Sequence, residues 1–435
     1  MAFVFKKRLS GGNDVADNNA NVPKLKAAEI YVGIDFGTTF TKVSFQIGGK
    51  EGATKYSIRF FDFDGEEAYC LPSKLGYDKS SDELVFTPTA IDKGIEEVKY
   101  FKYSMIEKGV PRHDNLDKRA ALDNDPQRLC SAFYLAHVIS MIKETISAHP
   151  AVSGRFETLR WYINMGVPVS DFNAKPKPIY DEALNVAWQL VEGGELSPRM
   201  KLTHLDGLYS RGVNHDSWCN RLNTVPELYA ELIMFLQNKA VDTGFYSVID
   251  IGGGTVDLAV FFKRIDLYSK KVEISCVAQE VCPLGYEMYK EVLGEEKAYK
   301  RMHESYGTVI SNAYLNHRSD MRKAKQNGNP LIHFYMGGAG KVQFYHDAVD
   351  YMINVHIRSW SECYPGAAEK DMISFMKNKQ DLEVDDNPRL IISQMLAQPF
   401  EMMPELSGKP WNFEKQAKGL SAPSLSDLQD SLYGI

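Results

Sequence analysis

Two stretches of the chain share one hydrophobic and polar design. The first, Tyr31 to Phe45, runs an apolar segment into Asp35, breaks at Gly37-Thr38-Thr39, and alternates again through Val43 and Phe45. The second, Phe245 to Phe261, runs into Asp250, breaks at Gly252-Gly253-Gly254 and Thr255, and resumes with Asp257 in the returning segment. Period-two alternation around a glycine break predicts strand, tight turn and returning strand, because Gly takes turn geometries that other residues resist. Asp35 and Asp250 stand 215 positions apart. The repeat therefore predicts a duplicated unit with a cleft between halves of similar size.

Between and after these hairpins the periodicity predicts further elements. Tyr56–Phe63, Leu71–Tyr77 and Glu83–Phe86 read as strands, as does Val98–Tyr103, which carries Lys99 and Lys102. Leu129, Phe133, Leu135, Ala136, Ile139, Ile142 and Ile146 recur at helical spacing and predict a sheet-packed helix over Gln127–Ala148. Trp161–Pro168 reads as a buried strand stopped by proline, and Ile179–Val191 as a helix. Residues 192–222, rich in Gly, Ser, Asn and His, read as a loop insertion with His204 and His215 on its surface. A helix is expected over Pro226–Phe235, a strand from Leu331 ending at Gly337-Gly338 with a helix after it, and a Pro-initiated helix over Asp386–Ala397. Residues 1–28 lack periodicity and read as a flexible tail, and residues 404–435, with Pro404, Pro410 and Pro423, as a second one.

Composition narrows the class. With 435 residues, 44% hydrophobic and 25% charged, the chain is ordinary for a globular protein with a sizeable core. A net charge of −7 argues against bulk nucleic-acid binding. The six cysteines (70, 130, 219, 276, 282 and 363) form no CxxC pair and fit reduced thiols in a cytoplasm. No apolar run approaches the ~20 residues that span a bilayer. The basic residues of the opening segment follow a very short apolar stretch, unlike a secretory signal.

The turns carry the chemistry. Clustered backbone N–H groups bind phosphate, and an adjacent Asp is suited to holding Mg²⁺ directly or through water. Asp35 and Asp250 are the metal candidates, with Gly37, Thr38, Thr39, Gly252, Gly253, Gly254 and Thr255 as the phosphate cradle. A strand ending in Asp-x-Gly can equally be a plain hairpin, and it is the repetition that favours the ligand reading. In these two motifs the sequence resembles the ATPase superfamily of actin, sugar kinases and the 70-kDa heat-shock chaperones. The resemblance is closest to the chaperones' nucleotide-binding domain.

That resemblance spans roughly residues 30–400 and implies a two-lobed α/β fold of duplicated ribonuclease H-like subdomains, each a mixed five-stranded sheet flanked by helices. It implies lobe I over 29–240, with a small outer subdomain at about 50–125, and lobe II over 241–403 with a reduced outer subdomain. It also implies a catalytic lysine in the outer subdomain, either Lys99 or Lys102, and a water-orienting carboxylate opening the inter-motif helix. Glu227 takes the latter role in the best register, with Leu228 where the family has proline; a Glu there would also favour the helix dipole. Asp257 joins it in organising water and metal. Leu284-Gly285-Tyr286-Glu287 resembles the family's Leu-Gly-Gly-Glu turn, and Gly337-Gly338 its adenosine motif. A Walker loop is excluded there by Tyr335 and Val342, and a Rossmann fingerprint by the glycine spacing. Only about 40 residues separate Lys290 from Leu331, too few for the chaperones' adenine-clasping subdomain; Lys297, Lys300 and Arg301 read as substitutes or as a solvated face. The closing ~30 residues cannot build a peptide-binding domain.

The implied cofactors are ATP and Mg²⁺. Three functions compete: a chaperone-like ATPase switch closing its lobes on a protein partner, an actin-like filament former, and a small-molecule kinase. The triple-glycine turn and the Pro72-Ser73 strand favour the first over the third.

Overall fold

The computed structural model describes residues 25–50, 53–105, 116, 121–168, 175–214, 219–238, 240–265, 272–355, 357, 364–372, 374–375 and 387–403. Cys363, His215 and the segment 404–435 lie outside them, as do the first 24 residues of the expected N-terminal tail.

The first alternating stretch forms β1 (Leu25–Phe36) and β2 (Phe40–Ile47), which pair antiparallel. Around them β3 (Lys55–Ser57), β8 (Phe156–Val167) and β10 (Leu222–Pro226) complete the order β10-β8-β1-β2-β3. The second stretch forms β11 (Gly244–Ile251) and β12 (Val256–Ile265), flanked by β13 (Val272–Cys282), β14 (Leu331–Met336) and β15 (Ala367–Glu369) in the order β13-β12-β11-β14-β15. In both sheets the first strand pairs antiparallel with the second and parallel with the fourth. The second and third pair antiparallel, the fourth and fifth parallel. The duplication inferred from two turns thus extends to whole sheets, and the fold is the two-lobed α/β class with mixed sheets flanked by helices. The two-residue β4 (Leu71–Pro72) also pairs with β2, giving the first sheet six strands rather than five.

A third, antiparallel sheet, β7-β5-β6-β9, is built from β5 (Leu75–Asp78), β6 (Glu83–Val85), β7 (Glu96–Val98) and β9 (Arg199–Lys201). The helices are α1 (Phe101–Ser104), α2 (Pro126–Ser147), α3 (Lys177–Glu192), α4 (Leu202–Val213), α5 (Glu227–Gln237), α6 (Tyr286–Met288), α7 (Glu295–Gln326), α8 (Gln343–Val355) and α9 (Ile391–Leu396). Asp125 caps α2 by accepting from the Gln127 N–H at 2.8 Å, and Pro126 occupies the first turn, where a missing N–H costs nothing. By length and composition α2 is long and apolar enough to cross a membrane, contrary to the reading that no such run exists. Of that window 72% is buried inside the protein, as in a core helix.

Several expectations are corrected. β1 begins at Leu25, inside the expected tail. The strand expected over Tyr56–Phe63 ends at Ser57. Leu71–Tyr77 is not one strand: β4 belongs to the first sheet and β5 to the third. Val98–Tyr103 turns at Tyr100, in left-handed backbone at φ 61°, and becomes helical α1. Residues 192–222 are no plain loop, since Met200 joins a strand and Leu202, Leu205, Leu208 and Tyr209 give α4 a buried face at helical spacing. His204 is exposed there as expected. Lys297, Lys300 and Arg301 lie on the exposed face of α7.

One core fills the first lobe around β1, β2, β8, α2, α3 and α4, and another packs α7 and α8 on the second sheet. A third, between them, gathers α5 and α9 with Tyr246, Phe261 and Phe334 of the second sheet. α9, expected to close the second lobe, lies instead against the first sheet. Asn164 of β8 donates to the Leu396 and Gln398 carbonyls at 2.8 Å each, and the Ser44 and Ser393 hydroxyls meet at 2.9 Å. The crossing is close because Gly33 has no side chain: a Cβ there would lie 2.0 Å from the Ser393 carbonyl oxygen and 2.6 Å from the Ala397 nitrogen. Overpacking of this kind typically costs about 1–3 kcal/mol. Gly33→Ala should lower the unfolding free energy measured by denaturant titration by at least that much; an unchanged value would show that α9 is not pinned there.

Candidate functional site

The two hairpin turns meet across the cleft. A Cβ on Gly253 would lie 1.6 Å from Thr39 Oγ1, and one on Gly254 would lie 2.8 Å from Thr38 Cγ2, so the turns touch. Each turn is braced from behind. Ser73, just after β4, donates its hydroxyl to the Gly37 carbonyl at 2.7 Å and its N–H to the Thr39 carbonyl at 2.8 Å. Gly285, Tyr286 and Glu287 donate their N–H groups to the carbonyls of Gly254, Gly252 and Gly253 at 3.2, 2.9 and 3.0 Å. Only glycine fits at 285, where a Cβ would lie 2.4 Å from the Gly254 carbonyl carbon. The third glycine turn abuts the second. Gly337, at φ 76°, leaves room for Asp250 Oδ1, and the Ala339 N–H donates to the Ile251 carbonyl at 3.1 Å.

A cavity of about 250 Å³ opens among these turns, lined by Asp35, Gly37, Thr38, Thr39, Gly252, Gly253, Gly254, Thr255, Gly337 and Gly338. Its floor is charged. Lys102 of α1 and Glu227 at the start of α5, residues 125 positions apart, form a buried ion pair at 2.7 Å. Lys99, the other candidate lysine, pairs with Glu97 at 2.6 Å with its side chain 45% exposed, and does not line the cavity. Asp35 and Lys42 face each other across the β1–β2 ladder, with Nζ 2.5 Å from Oδ2. Asp250 and Asp257 are likewise opposite each other on β11 and β12. Asp257 stands behind the lining, buried, with Oδ1 lacking a hydrogen-bond partner.

Lys42 and Glu231 went unread in the sequence, although both have signals there. A hairpin turning at Gly37–Thr39 places residue 42 opposite residue 35, and on a helix starting at Glu227 residue 231 lies one turn later on the same face. Tyr286, Glu287 and Arg389 at the cleft wall were also missed. Tyr286 and Glu287 stand in the Leu284–Glu287 turn, which marks the turn but not their place at the cleft; Arg389 has no local signal and is brought in by tertiary packing.

Burial pushes the Glu227, Glu231, Asp250 and Asp257 carboxyls above their ordinary values, and neighbouring acids add to the shift; Lys102 works against it at Glu227, and a hydrogen bond with Glu231 works against it at Asp250. Burial also opposes the charge on Lys42, but Asp35 and its neighbours hold that ammonium above its ordinary value. Five acids thus face two lysines. Such a surplus, with the Thr39 hydroxyl, both Glu231 oxygens and Asp257 Oδ1 lacking partners, fits a divalent cation and an anionic ligand bound together. Among the described residues no three His, Cys, Asp or Glu side chains converge on a metal by themselves, so a cation here would take much of its shell from water and ligand oxygens.

No family model matches the chain, and no curated protein does. Among solved structures it is similar to MreB5 of Spiroplasma citri bound to ADP, at 10% identity and a TM-score of 0.35, over 84% of this chain and 94% of that one. So loose an overlap adds no weight to what the turns themselves show.

The raised carboxyls set a pH dependence. Asp257 has an ordinary value of 3.8 and is held well above it in the fold, so the folded state keeps a proton that the unfolded chain has lost. Its stabilising share is complete below the unfolded value and disappears as pH rises through the folded one. Buried His137 and His333, both lowered to about 4, act oppositely below their ordinary 6.5, so a difference measurement is needed. In metal-free buffer, Asp257→Asn should gain stability over wild type progressively as pH rises above the ordinary carboxyl value of 3.8. A pH-independent gap would mean that Asp257 is not crowded as described.

Proposed function

We propose that the chain binds ATP with Mg²⁺ between its lobes and hydrolyses it slowly, as an actin-like ATPase whose output is a change in lobe closure. The supporting observation is the meeting of two equivalent Asp-glycine turns directly over a buried Lys–Glu pair. The N–H groups and hydroxyls of Gly37–Thr39 and Gly252–Thr255 would cradle the phosphates. Gly337 and Gly338 would let the backbone approach the nucleoside.

Glu227 is the group to orient an attacking water, because α5 holds it at the cavity floor. Lys102, locked to Glu227, fixes that carboxylate and supplies positive charge next to the reacting phosphoryl group. Lys42, beside Asp35, is a second such cation. Mg²⁺, when bound, would screen the charge that accumulates on the phosphate oxygens. Because the two turns touch, phosphate entering between them would push them apart and so tie binding to lobe movement.

Two outputs follow from this reading, a switch acting on a protein partner and self-assembly into filaments. Nothing in the comparisons singles out the chaperone branch, so the proposal stays with the wider superfamily. ATP-dependent pelleting would assign assembly, and its absence the switch.

Asp250→Ala should weaken Mg²⁺-dependent ATP binding by about 10-fold or more. Glu227→Gln should keep binding but lose about 10²–10⁴-fold in turnover. Unchanged binding and turnover in both variants would remove the site assignment.

A further inference from the structure

Glu231 lies one helical turn beyond Glu227 and lines the same cavity. Its side chain is buried, with the residue 1% exposed, and no amide, ammonium or alcohol donor reaches either carboxylate oxygen; its one polar neighbour at hydrogen-bonding range is the Asp250 carboxyl, with which it can only share a proton. The two lysines of the cavity are already engaged, Lys102 with Glu227 and Lys42 with Asp35. The groups facing Glu231 are acids: Asp250, Asp257 and Glu227. A buried carboxylate without donor or counter-ion carries a penalty of several kcal/mol, and such orphaned groups call for a missing partner. Two carboxyls facing each other can be bridged by a shared proton or by a cation from outside the chain.

We propose that Glu231 and Asp250 are the two direct carboxylate ligands of a divalent-cation site at the floor of the cleft. Asp35, the other acid assigned to the cation from the sequence, is paired with Lys42 at 2.5 Å and holds that ammonium beside the turns instead. The pair offers oxygen donors only, which selects hard cations of the Mg²⁺ or Mn²⁺ type. One or two carboxylates with water and phosphate oxygens is the usual way Mg²⁺ is held. The inference deepens the nucleotide reading, which supplies the phosphate ligands, but the carboxylate pair belongs to the chain alone.

The test uses the full chain without nucleotide and Mn²⁺ as probe, with binding followed by electron paramagnetic resonance and unfolding by calorimetry. Wild type should take up Mn²⁺ and unfold at a higher temperature with it. Glu231→Gln, which keeps the shape and removes the charge, should bind Mn²⁺ about 10–100-fold more weakly. Without metal this variant should unfold no earlier than wild type, because one of several crowded carboxylates is gone. A purely structural glutamate would instead lower the metal-free midpoint and leave the Mn²⁺ affinity alone. Equal Mn²⁺ affinity in the two proteins, or no uptake by wild type, overturns the proposal. If wild type takes up Mn²⁺ in this assay but binds no ATP in a separate titration, the nucleotide reading falls and the cation site stands.

Discussion

The ion pair between Lys102 and Glu227 is the constraint on which the cleft depends. It joins the segment leading out of the small antiparallel sheet to the first turn of α5, whose apolar face is buried against the second sheet. Burying two charges costs more than their attraction returns unless geometry is close and neighbours help, whereas removing one partner costs about 3–5 kcal/mol. Here the separation is 2.7 Å, and the Lys102 ammonium also lies 5.4 Å from the Phe36 ring centroid, over the end of β1. A hydrophobic pair of equal volume would hold the same elements together as well. What it could not do is keep a carboxylate and an ammonium fixed and buried next to the two glycine turns. The pair is better explained by the cleft than by stability.

Duplication explains why the two turns meet. Each hairpin leaves the central strand of its sheet at the same end, because both sheets follow one strand order and one pattern of parallel and antiparallel pairing. α5 and α9 lie between the sheets and fill the space behind the turns with apolar side chains. α9 can come so near the first sheet only because residue 33 is glycine, and the register set there carries forward to Asp35 two residues later. Position in the cleft is therefore decided by backbone approach as much as by the acids themselves.

The hairpins and their acids were legible because their signals are local: alternation, a glycine break and a repeat at long separation. Glu227 was legible as a helix start. Of the small sheet, the strand at Glu83–Phe86 and part of the one at Leu71–Tyr77 were legible; the sheet as a whole was not, since its strands are three or four residues long and one, β9, comes from over 100 positions further along the chain. Residues 192–222 misled because glycine, serine and asparagine at their ends masked the apolar face of α4. Lys99 and Lys102 could not be told apart by composition; the left-handed backbone at Tyr100 is what turns one out to solvent and the other in.

That turn also bridges the cleft. Tyr100 donates its hydroxyl to Glu291 at 2.6 Å, and Tyr103 packs against Met288, so the segment carrying Lys102 touches the helical stretch that begins at Gly285. Gly285 and its neighbours in turn hold the Gly252–Gly254 turn. A non-glycine residue in left-handed backbone costs on the order of 1–3 kcal/mol, which its surroundings must offset. At Tyr100 the offset comes from both lobes at once: its own ring is buried, and its hydroxyl is bound by a residue 191 positions away. A cleft that opened at this end would have to break that bond and bare the Tyr103–Met288 contact, so the contacts that hold Lys102 in place are the same ones that join the two sides.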